Sequence, residues 1–143
     1  MEKMKVFFIV LILLIICAAA YIHKPADKQP VVKRYASITG VKPDKVARYK
    51  YLHAHAWPAV LKKIKECNIR NYSIYLKNID GKPYLFSYFE YTGNNFTADM
   101  QKMTTDTNTR KWWKGTDPTQ LPLPDATARG KIWSDMEEVF HTP

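Results

Sequence analysis

Two stretches of alternating side chains flank one tight turn, and the rest of the chain has to fit around them. Asn71-Tyr-Ser-Ile-Tyr-Leu and Tyr84-Leu-Phe-Ser-Tyr-Phe-Glu-Tyr are rich in aromatic and β-branched residues, with Asp80-Gly81 between them. Alternation with period two places successive side chains on opposite faces of a strand, and Asp-Gly tolerates the positive φ angles of a hairpin turn. The two stretches therefore predict an antiparallel hairpin.

Upstream, KRYASITGV from Lys33 puts Tyr35, Ser37, Thr39 and Val41 on one side and Arg34, Ala36 and Ile38 on the other, which predicts a first strand. Lys42-Pro43-Asp44 then opens a helix running to about Glu66, with proline in the first turn and an acid near the positive end. Val46, Tyr49, His53, Trp57, Val60, Leu61 and Ile64 recur at helical steps, while lysines at 45, 50, 62, 63 and 65 fill most of the remainder. Pro58 removes a backbone hydrogen bond inside this pattern and is expected to kink the helix or divide it in two. Downstream, Phe96 to Met103 predicts a short helix, and Thr109 to Lys114 a second piece carrying Trp112 and Trp113. Thr116 to Ala128 holds Pro118, Pro122 and Pro124 and is expected to be a loop, and Ile132 to Thr142 a last strand.

The order strand, helix, strand, strand, helix, strand is that of a ferredoxin-like βαββαβ domain, an α+β fold with an antiparallel sheet. Helices cover one face of such a sheet, so the other face needs a partner or a ligand. Tyr72, Phe86, Tyr88 and Trp133 are expected on that second face.

Residues 1–20, MEKMKVFFIVLILLIICAAA, have the layout of a signal peptide: Lys3 and Lys5, an apolar run from Val6 to Cys17, and a small-residue exit. The run is shorter than the roughly 18 apolar residues of a comfortable span, so cleavage after Ala20 is expected over a permanent anchor. Either outcome implies an exported or membrane-anchored protein, touching the membrane only through this segment. Ile16 before Cys17 argues against lipidation. Residues 21–32, with Pro25 and Pro30, read as a linker, leaving residues 33–143 as one domain. The net charge of +9 is spread among acids without a basic run or a nucleic-acid motif, which describes a solvated surface. Cys67 is the one cysteine beyond the leader and reads as a buried apolar residue.

No HExxH, CxxC pair, EF-hand loop, phosphate-binding glycine loop or GxSxG elbow is present. His53 and His55, two apart, do not share a helix face, so a metal site on both is not expected. What remains is a stripe of Tyr49, His53 and Trp57 on one helix face, with His55 on the surface. Imidazole gives and takes protons near neutral pH. Phenols can bond sugar hydroxyls, and indoles lie well against the C–H face of a pyranose. By spacing alone, ordinary aromatic packing accounts for His53 and the tryptophans equally well.

Taken together, Tyr49-x-x-x-His53-x-x-x-Trp57-Pro58, Asn71-Tyr72-Ser-Ile-Tyr75-Leu, Thr105-Asp106, Trp112-Trp113 and Met136-Glu-Glu-Val-Phe140 resemble the L-rhamnose mutarotases over nearly all of residues 34–143. The resemblance implies a dimeric α/β-barrel of two ferredoxin-like subunits joined sheet face to sheet face, with no metal and no cofactor. It implies His53 as acid catalyst, a monosaccharide held by Tyr49, Tyr72, Trp112 and Trp113, and interconversion of the α and β anomers of L-rhamnose or a related pyranose. Two features depart from the family: the export-like N-terminus, and a spacing from Asp106 to Trp112 one residue longer than in some members, which blurs any role for Asp106. An exported, non-catalytic sugar-binding module and a cofactor-free oxygenase on the same fold are the alternative readings.

Overall fold

The computed structural model of the protein describes residues 31–142. Its strands are β1 (Lys33–Val41), β2 (Ile69–Ile79), β3 (Lys82–Tyr91), β4 (Gln120–Leu121) and β5 (Ser134–Met136). The helices are α1 (Val46–Ala54), α2 (Pro58–Glu66), α3 (Phe96–Thr105), α4 (Thr107–Thr116) and α5 (Pro124–Ala128). The strands lie in the order β2-β3-β1-β4, with β5 also on β1, and each pairing is antiparallel. This is the α+β, ferredoxin-like arrangement expected from the sequence. The outer strand beside β1 is split into β4 and β5.

The hairpin closes at Asp80 and Gly81, whose φ angles of 49° and 74° are both positive, as a two-residue turn requires. Between Arg70 and Ser73 the β2–β3 register shifts by one residue. Asn71 takes φ 49° there, a left-handed conformation that asparagine tolerates better than most residues. The inserted residue inverts the alternation. Ile69 and then Tyr72, Ile74 and Leu76 share one face, where strict alternation would have put Asn71, Ser73 and Tyr75 beside Ile69.

Pro58 divides the predicted long helix. After a short 3-10 turn at Pro43–Lys45, α1 stops at Ala54. Trp57 is extended at φ −69° and ψ 133°, the conformation forced on a residue preceding proline. Pro58 then opens α2, where its missing N–H leaves no hydrogen bond broken. α3 and α4 are each capped by a side chain: Asn95 accepts from the Ala98 N–H (3.1 Å) and Asp106 from the Thr109 N–H (2.7 Å).

The C-terminal third departs from the sequence reading. Thr116–Ala128 is not a plain loop but holds a 3-10 turn, β4 and α5, while the last strand spans only Ser134–Met136 instead of Ile132–Thr142. Proline at the start of each short helix sets its first φ angle, and strands this short have no room for a period. The expected leader at residues 1–20 and most of the linker lie outside the described residues. No helix among the described residues is long and apolar enough to cross a membrane.

Two apolar clusters hold the helices to the sheet. One joins Val41, Tyr49 and Leu85, with Val46, Ile74 and Trp133 against it. The other joins Cys67, Ile69 and Met103, with Ile64, Phe89, Met100 and Trp113. Cys67 is fully buried, as expected. Asp99 on α3 is buried as well and accepts from Lys102 (2.7 Å), the Tyr91 hydroxyl (2.7 Å) and the Asn68 amide (2.8 Å), which hold its carboxyl down to about 2. That knot ties α3 to β3 and to the turn after α2. The outward sheet face carries Ala36, Ile38, Phe86 and Tyr88, while Tyr72 and Trp133, expected there, turn instead toward the helices. The bulge at Asn71 explains the difference for Tyr72.

Candidate active site

Between the two clusters, enclosed by helices above and sheet below, lies a cavity of about 580 Å³. Tyr49, His53, Tyr72, Trp112 and Trp113 all line it, so α1, β2 and α4 deliver the five sequence-predicted site residues to one space. A smaller cavity of about 250 Å³ continues past Tyr49 and His53 toward Lys50 and Leu85. The volumes fall in the usual range for small-molecule sites.

His53 is half-buried at the C-terminal end of α1. Its Nδ1 lies 3.0 Å from the Tyr49 carbonyl oxygen. A carbonyl can only accept, so Nδ1 carries the proton and Nε2 is left with its lone pair. The ring stacks on Tyr49 at 4.1 Å between centroids and meets Trp112 edge-on at 5.5 Å. Three neighbours thus fix its orientation. Burial lowers the imidazole pKa below its ordinary value, with the Tyr49 carbonyl acting weakly in the opposite sense, so the ring is neutral at pH 7.

Burial is also the main cause that raises the Tyr49 phenol, and the nearby Tyr72 phenol adds to it. Tyr72, 44% exposed because it borders the cavity, has its hydroxyl among apolar groups and is pushed up to about 12. Both phenols remain protonated hydrogen-bonding groups at any physiological pH. Tyr72 also meets Phe89 edge-on at 5.7 Å, a contact made available by the bulge at Asn71.

The adjacent tryptophans point in different directions, as neighbours on a helix must. Trp112 is buried and faces His53 and Trp57, whereas Trp113 packs on the Cys67 cluster while still bordering the cavity. Trp57 does not continue the Tyr49–His53 stripe on a helix, since α1 has ended, but its ring reaches Trp112 edge-on at 5.5 Å from the linking segment. His55 is exposed, its Nδ1 on the Tyr51 carbonyl at 2.8 Å, as the sequence reading had it. Asp106 caps α4 and lies 3.9 Å from Lys63; it does not line the cavity.

No acid, lysine or arginine is among the residues lining the larger cavity. Its polarity comes from Ser37, Ser87, Thr109, Thr116, Gln120, the two phenols and one imidazole. Ser37, Ser87 and Gln120 were not singled out in sequence: two sit in alternating strand positions that read as ordinary core-facing serines, and the third in a proline-rich stretch without period. The chemistry available is hydrogen bonding to neutral hydroxyls, stacking on indole, and proton exchange at a single imidazole.

A family model described as L-rhamnose mutarotase matches residues 34–142, spanning every strand and helix that frames the cavity. The chain belongs to the L-rhamnose mutarotase family. An L-rhamnose mutarotase of Oceanobacillus iheyensis is 31% identical over 110 residues, covering 77% of this chain and 98% of the relative. One from Bacillus subtilis is also 31% identical, with the same coverage. Among solved structures, an L-rhamnose mutarotase from Formosa agariphila aligns with a TM-score of 0.58 at 22% identity, covering 78% of this chain and 99% of the other, which supports the fold. Membership places this protein among isomerase-type enzymes of carbohydrates.

Proposed function

We propose that the protein interconverts the α and β anomers of L-rhamnose or a related neutral pyranose, with His53 as the proton-transferring group. The observation that carries this reading is the neutral imidazole whose Nδ1 is tied to the Tyr49 carbonyl, leaving an unprotonated Nε2 beside Trp112 in a cavity lined by no formal charge. In mutarotation the O1–H and C1–O5 bonds break while the C1=O1 and O5–H bonds form. O1 and O5 are both attached to C1, so one nitrogen can serve both. Nε2 takes the proton from O1, and the resulting imidazolium delivers it to O5, which is the acid role implied by the family resemblance. After rotation about C1–C2, the same proton returns by the reverse route and the ring closes on the other face. General acid–base assistance of this kind contributes about 10²- to 10⁴-fold.

Trp112 and Trp113 provide flat apolar surfaces for the ring's C–H face, and the Tyr49 and Tyr72 hydroxyls hold its oxygens. An uncharged lining disfavours sugar acids and phosphates, which would be buried without a counter-charge. Two copies pair through the outward sheet face, where Ala36, Ile38, Phe86 and Tyr88 lie together. Val139 and Phe140 are 89% and 79% exposed nearby in the chain and add apolar surface for a partner. Export of the protein rests on residues 1–20, and detection of the mature chain beginning after Ala20 tests it.

The test of the activity is anomer exchange measured by NMR saturation transfer with purified residues 21–143 across L-rhamnose, L-fucose, L-lyxose and D-mannose. Acceleration is expected, with L-rhamnose or a close relative preferred. Saturable binding of a sugar without acceleration would instead identify a non-catalytic binding module.

A further inference from the structure

Gln120 is the buried polar group that the proposed chemistry leaves unused. It is 6% exposed and lines the cavity, yet its side-chain oxygen Oε1 has no hydrogen-bond partner among the described residues. The other buried atom without a partner is Thr109 Oγ1, which lies outside hydrogen-bonding geometry but close enough to Asp106 to help lower that carboxyl. Gln120 has no such neighbour. A buried acceptor left unpaired opposes folding, so a retained one calls for an explanation beyond packing.

The backbone holds this side chain in place. β4 pairs Gln120 with Val41 and Leu121 with Gly40, so Gln120 sits on the cavity face of the sheet beside Val41. At Gly40 a Cβ would lie 2.8 Å from the Leu121 carbonyl oxygen, so only glycine allows β4 to approach β1 this closely. On the same face Ser37 and Ser87 share a hydrogen bond of 2.7 Å, and two hydroxyls so paired still offer one donor and further lone pairs. The helix layer brings the imidazole and indoles. The sheet brings Ser37, Ser87 and Gln120.

We propose that Gln120 is a specificity-determining residue, whose side-chain carbonyl accepts a hydrogen bond from a non-reacting hydroxyl of the bound neutral sugar. The Ser37–Ser87 pair offers a second polar anchor on the same floor. The inference rests on the sugar-site reading above but not on turnover. An apolar residue of similar length at this position removes the acceptor while keeping the volume.

Gln120→Met is compared with wild type by calorimetric titration with L-rhamnose, L-fucose, L-lyxose and D-mannose, and by thermal unfolding without sugar. Affinity for the preferred sugar should fall about tenfold, the worth of one neutral hydrogen bond. Tm of the sugar-free protein should stay level or rise, because an unpaired buried acceptor has been replaced by an apolar group. A merely structural glutamine predicts a lower Tm. Where wild type accelerates exchange, KM should rise with kcat unchanged, since Gln120 acts away from the reacting atoms. Unchanged affinity, or a lowered Tm without loss of affinity, overturns the proposal. Wild type that binds none of the four sugars overturns the sugar reading and this inference together. Sugar binding without acceleration overturns only the catalytic reading, and Gln120 is still decided on Kd.

Discussion

Replacing His53 by alanine separates the chemistry of the site from its architecture. The imidazole makes one hydrogen bond to the Tyr49 carbonyl, one stack at 4.1 Å and one edge contact at 5.5 Å. A net hydrogen bond at about 1 kcal/mol and aromatic contacts at about 1 kcal/mol give a stability loss of about 2 kcal/mol, or roughly 8 °C in Tm for a domain of this size. The protein stays folded. The catalytic loss is larger: removing general acid–base assistance costs about 10²- to 10⁴-fold, equivalent to about 3 to 5 kcal/mol of barrier. Saturation transfer between the anomeric proton signals reads the exchange rate, and circular dichroism monitors the fold. The pH profile provides a second, independent reading. Burial lowers the His53 pKa, and the shuttle begins from neutral imidazole, so the wild-type rate should be level above pH 6.5 and fall as pH drops through that lowered pKa. In sugar-free protein the same shift has the matching sign for stability. The unfolded chain takes up the proton first, so this contribution is complete above about pH 6.5 and is lost as pH falls through the folded-state pKa. Exchange at the wild-type rate in His53→Ala, or a rate that climbs toward acid, would refute the assignment.

Trp112→Ala should weaken sugar binding by about 10-fold or more while far-UV circular dichroism stays close to wild type, because the indole faces His53 and the cavity; an unchanged Kd would remove its stacking role. Asn71→Val should cost about 1 to 2 kcal/mol in denaturant unfolding, since a β-branched residue is poorly tolerated at φ 49°, whereas Asn71→Gly should cost less; equal effects would show that the bulge does not depend on this conformation. Phe86→Glu on the outward sheet face should yield monomers by light scattering if wild type is a dimer; dimers of unaltered stability would locate the interface elsewhere.

The order of elements was readable because the first three strands and the helices are long enough to show their period, and because Asp80-Gly81 and Pro58 mark a turn and a break by local sterics alone. Tyr49 and His53 were readable as neighbours for the same reason, being four apart on one helix. Tyr72 was named correctly for the cavity only through family likeness, since counting by two along β2 points it outward and nothing in the sequence of Asn71 announces an extra residue. The split outer strand was unreadable because two- and three-residue strands are defined by what they pair with rather than by their own composition. Gln120 was hidden with it. A polar residue in a proline-rich stretch looks solvated until the register of β4 against Val41 turns it inward.

The single inserted residue in β2 also bears on how relatives of this chain are compared. Deleting Asn71 and re-forming a regular ladder would turn Ser73, Tyr75 and Lys77 toward the helices, replacing an apolar wall and a phenol with a primary amine and a serine. Homologues that differ by one residue here would then carry the same letters with opposite orientations. Placing a gap on either side of this position therefore decides whether two sequences are judged to share a sugar-facing wall at all.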